Sequence, residues 1–369
     1  MTDLSNSQSA SDAAHMAQAL RLAEKARYLS HPNPAVGCVL VKNDQVIAEG
    51  HTLVAGQGHA EANALNSAGA AAAGATAYVT LEPCSFHGRT PSCAHALVEA
   101  GICRVVVATL DPDIRNAGAG MRVLEEAGIA VSVGLLEDSA KKLIQGHIKR
   151  HTEKRPFVRL KLAMTLDGKT ALANGESRWI TSKPARADVQ KYRAMSAAIV
   201  TGVQTVIDDD PQLNVRADEL DVELADIAAG VDRPVYILDT KGRLPEEAGL
   251  RARASTVVVS GEGSDADLTL PLEGDRLDLN ALLHELAVRE HSEVLFECGA
   301  TLAGVMISQK LVDELVLYVA PKFMGSSARS LLNFPEVDRM CDLAELVVSD
   351  VRQIGPDIRI TASPLEKQT

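Results

Sequence analysis

Three metal-binding side chains fall within one short stretch of this 369-residue chain: His59, Cys84 and Cys93. An imidazole and two thiolates can hold a zinc ion and leave a fourth position open. To do so they must converge on one point, which restricts the fold more than any other feature. Apolar and small residues at helical spacing predict a helix over 60–68, with His59 and Glu61 at its N-terminus. The run 75–81 predicts a strand that delivers Glu82-Pro83-Cys84, and 92–100 predicts a helix that starts near Cys93. One strand end and two helix starts therefore have to meet.

Glu61 lies two residues beyond His59 and is not needed as a ligand. Zinc lowers the pKa of water towards neutrality, and a carboxylate at this position can move protons to and from that water. His-x-Glu followed by Pro-Cys matches the elements of zinc deaminases. The spacing Pro-Cys-x-x-Cys is not kept, because eight residues, 85–92, separate the two cysteines. Gly88, Arg89 and Pro91 in that insertion predict a turning loop that returns the second sulfur to the metal. The blander alternatives are a closed zinc site or two unrelated buried thiols. A closed site needs a fourth ligand and has no use for Glu61.

The length favours two domains. Hydrophobic content of 46% is ample for two cores. With two of the six cysteines assigned to metal, Cys38, Cys103, Cys298 and Cys341 read as reduced thiols of a cytoplasmic protein. The polar start has no apolar h-region, and no apolar run reaches a membrane span. Net charge is −12 with 3% aromatics, a poor fit to nucleic-acid binding. Residues 156–206 run against that balance, with 8 basic and 3 acidic side chains. They could receive a small anion, or form an ordinary basic helix face.

Strands over 36–41 and 45–49, a first helix over 16–29, and alternating strands and helices up to 134 predict an α/β layer domain. The charged run 147–155 ends at Pro156. The expected division is a flexible N-terminus 1–13, a domain 14–150, a linker 151–156 and a second α/β domain 157–369. The acidic stretch 217–230 is weakly patterned.

Other candidates are less specific. Asn33 between two prolines could pair with a heterocycle edge or be a turn residue. His51 and Asp111 sit at strand ends. In the second half, 299–304 follows a strand and opens a helix, which suits phosphate or a simple tight turn. Trp179, the only Trp, could contact a planar cofactor or sit in a core. Arg186 and Arg193, seven apart, share a helix face and could grip phosphate.

Together these residues resemble the bifunctional deaminase–reductases of riboflavin biosynthesis. In the first half the resemblance rests on Asn33-Pro34-Ala35-Val36-Gly37-Cys38, His59-Ala60-Glu61 and the run from Glu82 to Cys93. In the second it rests on the run from Lys161 to Lys169, the run from Gly175 to Thr181, Thr205 to Pro211, and Gly299 to Gly304. It covers about 15–365.

The resemblance implies a cytidine-deaminase-like α/β/α domain followed by a dihydrofolate-reductase-like α/β domain. It implies zinc-dependent deamination of 2,5-diamino-6-ribosylamino-4(3H)-pyrimidinone 5′-phosphate, then NADPH-dependent reduction of the ribosyl group to ribityl. His59, Cys84 and Cys93 would hold zinc, and Glu61 would shuttle protons. Asn33, His51, Arg89 and Asp111 match substrate positions. Ala163, Trp179, Thr205, Asp209, Thr240 and Gly299, Ala300, Thr301, Leu302, Ala303, Gly304 and Val305 match NADPH contacts. Ser177, Arg193, Leu213, Arg216 and Glu297 match contacts to the second substrate, with Lys161 and Asp209 as candidates for polarising or protonating the sugar. A homodimer or larger homo-oligomer is implied. The competing expectation is a nucleoside or RNA-base deaminase with a non-catalytic C-terminal domain, and the acidic charge opposes it.

Three departures from the family pattern stand out. Phe86 precedes His87 where a second histidine is usual, Ser92 precedes Cys93 where Pro is usual, and Asp113-Ile114 replaces Asn-Pro. Asp113 exchanges a neutral amide for an acceptor-only anion.

Overall fold

The computed structural model describes residues 2–88 and 91–365, with side chains from residue 9. The chain divides into two compact units, Met1–Lys154 and Arg155–Thr369.

In the first unit the strands are β1 (Gly37–Lys42), β2 (Gln45–His51), β3 (Thr76–Val79), β4 (Arg104–Val107) and β5 (Ala130–Val133). They form one sheet in the order β2-β1-β3-β4-β5. β1 runs antiparallel to β2 and β3, and β3, β4 and β5 are parallel. The helices are α1 (Thr2–Ala26), α2 (Ala60–Ala68), α3 (Cys93–Glu99), α4 (Ala119–Glu126), α5 (Glu137–Leu143) and α6 (Gln145–Glu153). Strand alternation sends Cys38, Leu40, Val105 and Val107 to one face, where Ala60, Ala64, Leu97 and Leu124 of α2, α3 and α4 cover them. Val39, Val41, Tyr78 and Val106 go to the other face, against Met16, Ala19 and Leu22 of α1 and Ala140 of α5. β1, β3 and β4 are thus covered on both faces, which explains their near-continuous apolar runs.

Two boundaries differ from the sequence expectation. The stretch 1–13 was expected to be flexible, but α1 begins at Thr2. Asp12 is buried in it, accepts from Tyr78 Oη at 2.7 Å and is ion-paired with Arg104. A polar N-terminus hid a helix because its anchor lies 66 residues away in sequence. The expected linker 151–156 also shortens, since α6 runs through Glu153.

The second unit has strands β6 (Phe157–Thr165), β7 (Lys169–Ala171), β8 (Ala198–Gly202), β9 (Val235–Leu238), β10 (Thr256–Gly261), β11 (Leu268–Leu270), β12 (Leu272–Glu273), β13 (Arg276–Leu277), β14 (Glu293–Glu297), β15 (Glu314–Ala320), β16 (Arg329–Ser330), β17 (Leu346–Ile354) and β18 (Asp357–Pro364). Its main sheet has the order β11-β10-β9-β8-β14-β6-β15-β18-β17. Pairing is parallel from β11 to β15, and the β17–β18 hairpin closes the edge antiparallel. Helices are α7 (Lys183–Met195), α8 (Val203–Asp209), α9 (Ala225–Gly230), α10 (Leu279–Val288) and α11 (Ala300–Ser308). α9 lies inside the weakly patterned acidic stretch. The parallel strands β8 and β14 end together at Gly202 and Glu297, level with Lys161 in the middle of β6, which sets the site.

Gly37, in the Pro-Ala-Val-Gly-Cys run, is where α1 touches β1. A Cβ there would stand 1.9 Å from Ala19 O and 2.8 Å from Ala23 N, both backbone atoms of α1. Replacing Gly37 with Ala must push the helix off the sheet. We expect Gly37→Ala to destabilise the first unit by about 3 kcal/mol or more. Calorimetry would show that unit's transition falling while the second stays in place; an unchanged first transition contradicts the packing described.

Candidate metal centre and reductase pocket

His59 is the residue that precedes α2, with extended backbone (φ −70°, ψ 169°). Glu61 follows in the first turn and is buried. The end of β3 leads into Glu82-Pro83-Cys84. Glu82 is also buried, and its carboxylate accepts three backbone N–H groups: Asp111 at 3.1 Å, Gly118 at 3.0 Å and Gly120 at 3.0 Å. These charge-assisted bonds tie the strand end to the loop 111–118 and the start of α4. Cys93 opens α3. Ser92 donates to Cys84 O at 2.8 Å and accepts from His95 N at 3.4 Å, so the residue that departs from the family's proline closes the loop and caps the helix.

The three ligand atoms lie within 4.8 Å of one another. His59 Nδ1 is 3.4 Å from Cys93 Sγ and 3.8 Å from Cys84 Sγ. Cys93 N donates to Cys84 Sγ at 3.3 Å. The Cys93 thiol and the His59 ring pull Cys84 down to about 4, against burial. Cys93 is held well above its ordinary value by the same shared proton and by burial. A thiolate and an imidazole packed this closely are a donor set for zinc, and the residues fit it. Burial, then the charge on Cys84, push the Glu61 carboxyl up to about 7.

The other expected residues of this unit lie on loops. Asn33 follows Pro32 and donates its backbone N–H to Ser30 O at 2.8 Å. His51 ends β2, and its carbonyl accepts from Asn63 Nδ2 of α2 at 2.9 Å. Asp111 is engaged within the protein: Oδ1 meets His147 Nε2 at 2.9 Å and the Asp113 N–H at 3.0 Å, while Oδ2 accepts from Asn116 Nδ2 at 3.3 Å. Arg89 lies outside the described residues. Sequence reasoning missed Asn116 and His147. Asn116 is 1% exposed, and its Oδ1 accepts from both the N–H and the hydroxyl of Ser85 at 2.9 Å. Only the fold brings these residues together.

In the second unit a cavity of about 1200 Å³ opens beside the middle of β6 and the ends of β8 and β14. It collects Lys161 and Ala163 from β6, Ser177 and Trp179 from the following loop, and Arg193 from α7. Thr205 and Asp209 come from α8, Leu213 and Arg216 from the loop after it, and Thr240 from the end of β9. Glu297 of β14 and Gly299, Ala300, Thr301, Leu302 and Val305 complete the wall. Ala303 and Gly304 were expected there and do not line it. Ala303 is fully buried, and a Cβ on Gly304 would stand 2.1 Å from Asn333 O. A helix turns 100° per residue, so 301, 302 and 305 share the cavity face and 303–304 face away.

Glu297 sits beside Lys161 in the parallel register. Arg193 Nε and Nη2 donate to its two oxygens at 2.6 and 3.1 Å, and Lys161 Nζ is 3.8 Å away. Burial would raise Glu297, but Arg193 and Lys161 outweigh it and leave the carboxyl below its ordinary value. Burial lowers Lys161, opposed by Glu297. Ser177 Oγ donates to Asp209 at 3.0 Å, and Arg178 lies 3.7 Å from the same oxygen. Arg216 Nη1 donates to Glu219 at 2.9 Å. Trp179 is no core residue: it is 62% exposed, with the Arg186 guanidinium 4.2 Å from its ring centre. Lys322 holds its carbonyl at 3.0 Å, another contact not legible beforehand. An exposed indole plate and the N-terminus of α11 in one cavity fit a dinucleotide such as NADPH.

The family described as the cytidine and deoxycytidylate deaminase zinc-binding region matches residues 9–109, and the RibD C-terminal domain matches 156–360. Riboflavin biosynthesis protein RibD of Haemophilus influenzae is 45% identical over 96% of this chain and 98% of its own. RibD of Escherichia coli is 43% identical over 94% and 98%. Acinetobacter baumannii RibD superposes with a TM-score of 0.89 at 44% identity, covering 97% of this chain and all of that one. A Thermotoga maritima structure superposes at 0.84 with 32% identity, over 97% of this chain and 100% of that one. It is described as a diaminohydroxyphosphoribosylaminopyrimidine deaminase and 5-amino-6-(5-phosphoribosylamino)uracil reductase. The His–Cys–Cys cluster, the reductase pocket and these likenesses lead to one conclusion: the chain belongs to the RibD family, the bifunctional zinc deaminases and NADPH-dependent reductases of riboflavin biosynthesis.

Proposed function

We propose that the first unit deaminates 2,5-diamino-6-ribosylamino-4(3H)-pyrimidinone 5′-phosphate and that the second reduces the ribosyl chain of the product, giving 5-amino-6-(5-phosphoribitylamino)uracil. The observation that carries the first step is the buried Glu61 carboxyl in the first turn of α2, beside a His–Cys–Cys donor set. A carboxylate so placed can accept and return a proton. His59, Cys84 and Cys93 would hold zinc, which supplies the Lewis acidity that makes water nucleophilic. Glu61 takes a proton as water adds to the ring carbon that bears the amino group. It returns the proton to nitrogen as the C–N bond breaks and ammonia leaves. Asn33, His51 and Arg89 are assigned to the substrate. Asp111 is assigned to shaping that wall, since both its oxygens have protein partners.

When bound in the second unit, NADPH would supply a hydride. Ala163, Trp179, Thr205, Thr240, Gly299, Ala300, Thr301, Leu302 and Val305 are assigned to the cofactor. Ser177, Arg193, Leu213, Arg216 and Glu297 are assigned to the sugar phosphate. The anomeric carbon would accept the hydride as its bond to the ring oxygen breaks, and that oxygen would take a proton. Lys161, buried and lowered in proton affinity, is assigned as that proton donor. Asp209, bonded to Ser177, is assigned to holding the substrate's neighbour in place.

A homo-oligomer is part of the proposal. In its support, the outer strand β17 leaves Val347 50%, Val348 55% and Val351 60% exposed on a sheet edge. Among the described residues no helix is long and apolar enough to cross a membrane. The free cysteines suit a reducing cytoplasm, and the acidic charge argues against a nucleic-acid partner.

Two experiments test the reading. Purified protein given the diaminopyrimidine should release ammonia without NADPH, lose that activity to a zinc chelator, and oxidise NADPH only after deamination. NADPH oxidation by the undeaminated compound contradicts the order. Arg193→Ala should raise KM for the reductase substrate about tenfold or more. NADPH affinity, read by quenching of the single Trp179, should stay near wild type. The reverse pattern would assign Arg193 to the cofactor.

A further inference from the structure

Two of the departures from the family pattern, Phe86 and Asp113, meet at one residue. Asp113 is 5% exposed and accepts from Arg115 Nε at 2.9 and 3.1 Å on its two oxygens, and from the Arg115 N–H at 3.0 Å. The Arg115 guanidinium carbon lies 4.9 Å from the centre of the Phe86 ring. Phe86 belongs to the loop that separates the two sulfurs, two residues after Cys84. The same loop is tied at Ser85 to Asn116, and Asn116 in turn reaches Asp111. The segment 111–116 thus grips the sulfur-bearing loop twice, through Asn116 on Ser85 and through Arg115 on Phe86.

An anion at 113 would stand as an unsatisfied buried charge unless a cation answered it. Arg115 does so with a fork that suits a carboxylate and leaves a flat face for an aromatic ring. A histidine at 86 would offer a poorer platform to that cation than Phe86 does.

We propose that Arg115 is a positioning residue for deamination, which uses Asp113 as its anchor and Phe86 as its handle to hold Ser85 and Phe86, the two residues that follow Cys84, in place beside the pyrimidine site. Asp113 on this account does not touch substrate. The proposal rests on the assignment of deamination to this site.

Kinetics of the full chain with the diaminopyrimidine, alongside zinc content and reduction of the already deaminated compound, test it. Arg115→Ala should raise the deamination KM about tenfold, change kcat less than about threefold, and leave zinc at one equivalent with reduction unaltered. Phe86→Ala should give a similar KM. The double variant should be no worse than either single one, because both break the same link. Arg115→Lys, which keeps the charge without the planar fork, should fall between. A wild-type KM in Arg115→Ala, multiplied effects in the double variant, or loss of zinc would overturn the positioning role while the assignment of deamination stands. A wild-type protein that releases no ammonia would overturn both.

Discussion

A carboxylate taken out of water must be answered by something, and this chain answers it in different ways at the points where its sites are built. Glu82 receives three backbone N–H groups and becomes the joint between β3, the loop 111–118 and α4. Glu297 receives Arg193 and Lys161 and becomes the floor of the reductase pocket. Asp113 receives Arg115 and is held at about 2, since the guanidinium and its N–H outweigh burial. At Glu61 burial is not outweighed, and its proton affinity rises to about 7. The satisfied carboxylates fix geometry; the strained one is available for chemistry.

That division accounts for the closeness of Glu61 and Glu82 to the same metal cluster in opposite roles. Glu82 precedes Cys84 by two residues and aims its sulfur by fixing the backbone behind it. Glu61 follows His59 by two residues and, from the first turn of α2, reaches the cluster itself, with a hydrogen bond to Cys93. Each unit therefore buries an acid at its site: Glu297 is answered by Arg193 and Lys161, whereas Glu61 is left raised beside the His–Cys–Cys set.

Much of this was legible in the chain because the signals are local. Helix periodicity over 60–68 matches α2 residue for residue, and the ligand set needs only residue types and spacing. The cavity gathers Lys161, Arg193, Asp209 and Glu297 as the family resemblance implied. Signals that depend on distant partners were not legible. The polar start of α1 is pinned by Tyr78 and Arg104, the carboxylate of Asp111 is met by His147 from α6, and Phe86 finds Arg115 only in the folded state. Ala303 and Gly304 lie off the cavity wall for a simpler reason. A contiguous run was carried over whole, and a helix shows a cavity only one of its faces.

The account stands on Glu61 being a proton carrier and not a ligand. Glu61→Gln keeps the shape and removes the proton. Its zinc content and ammonia release, measured on the same preparation, are the most direct test. Zinc should remain at one equivalent while deamination falls about a thousandfold and reduction of the deaminated compound continues at the wild-type rate. Ammonia release at the wild-type rate, or loss of the zinc, would contradict the account.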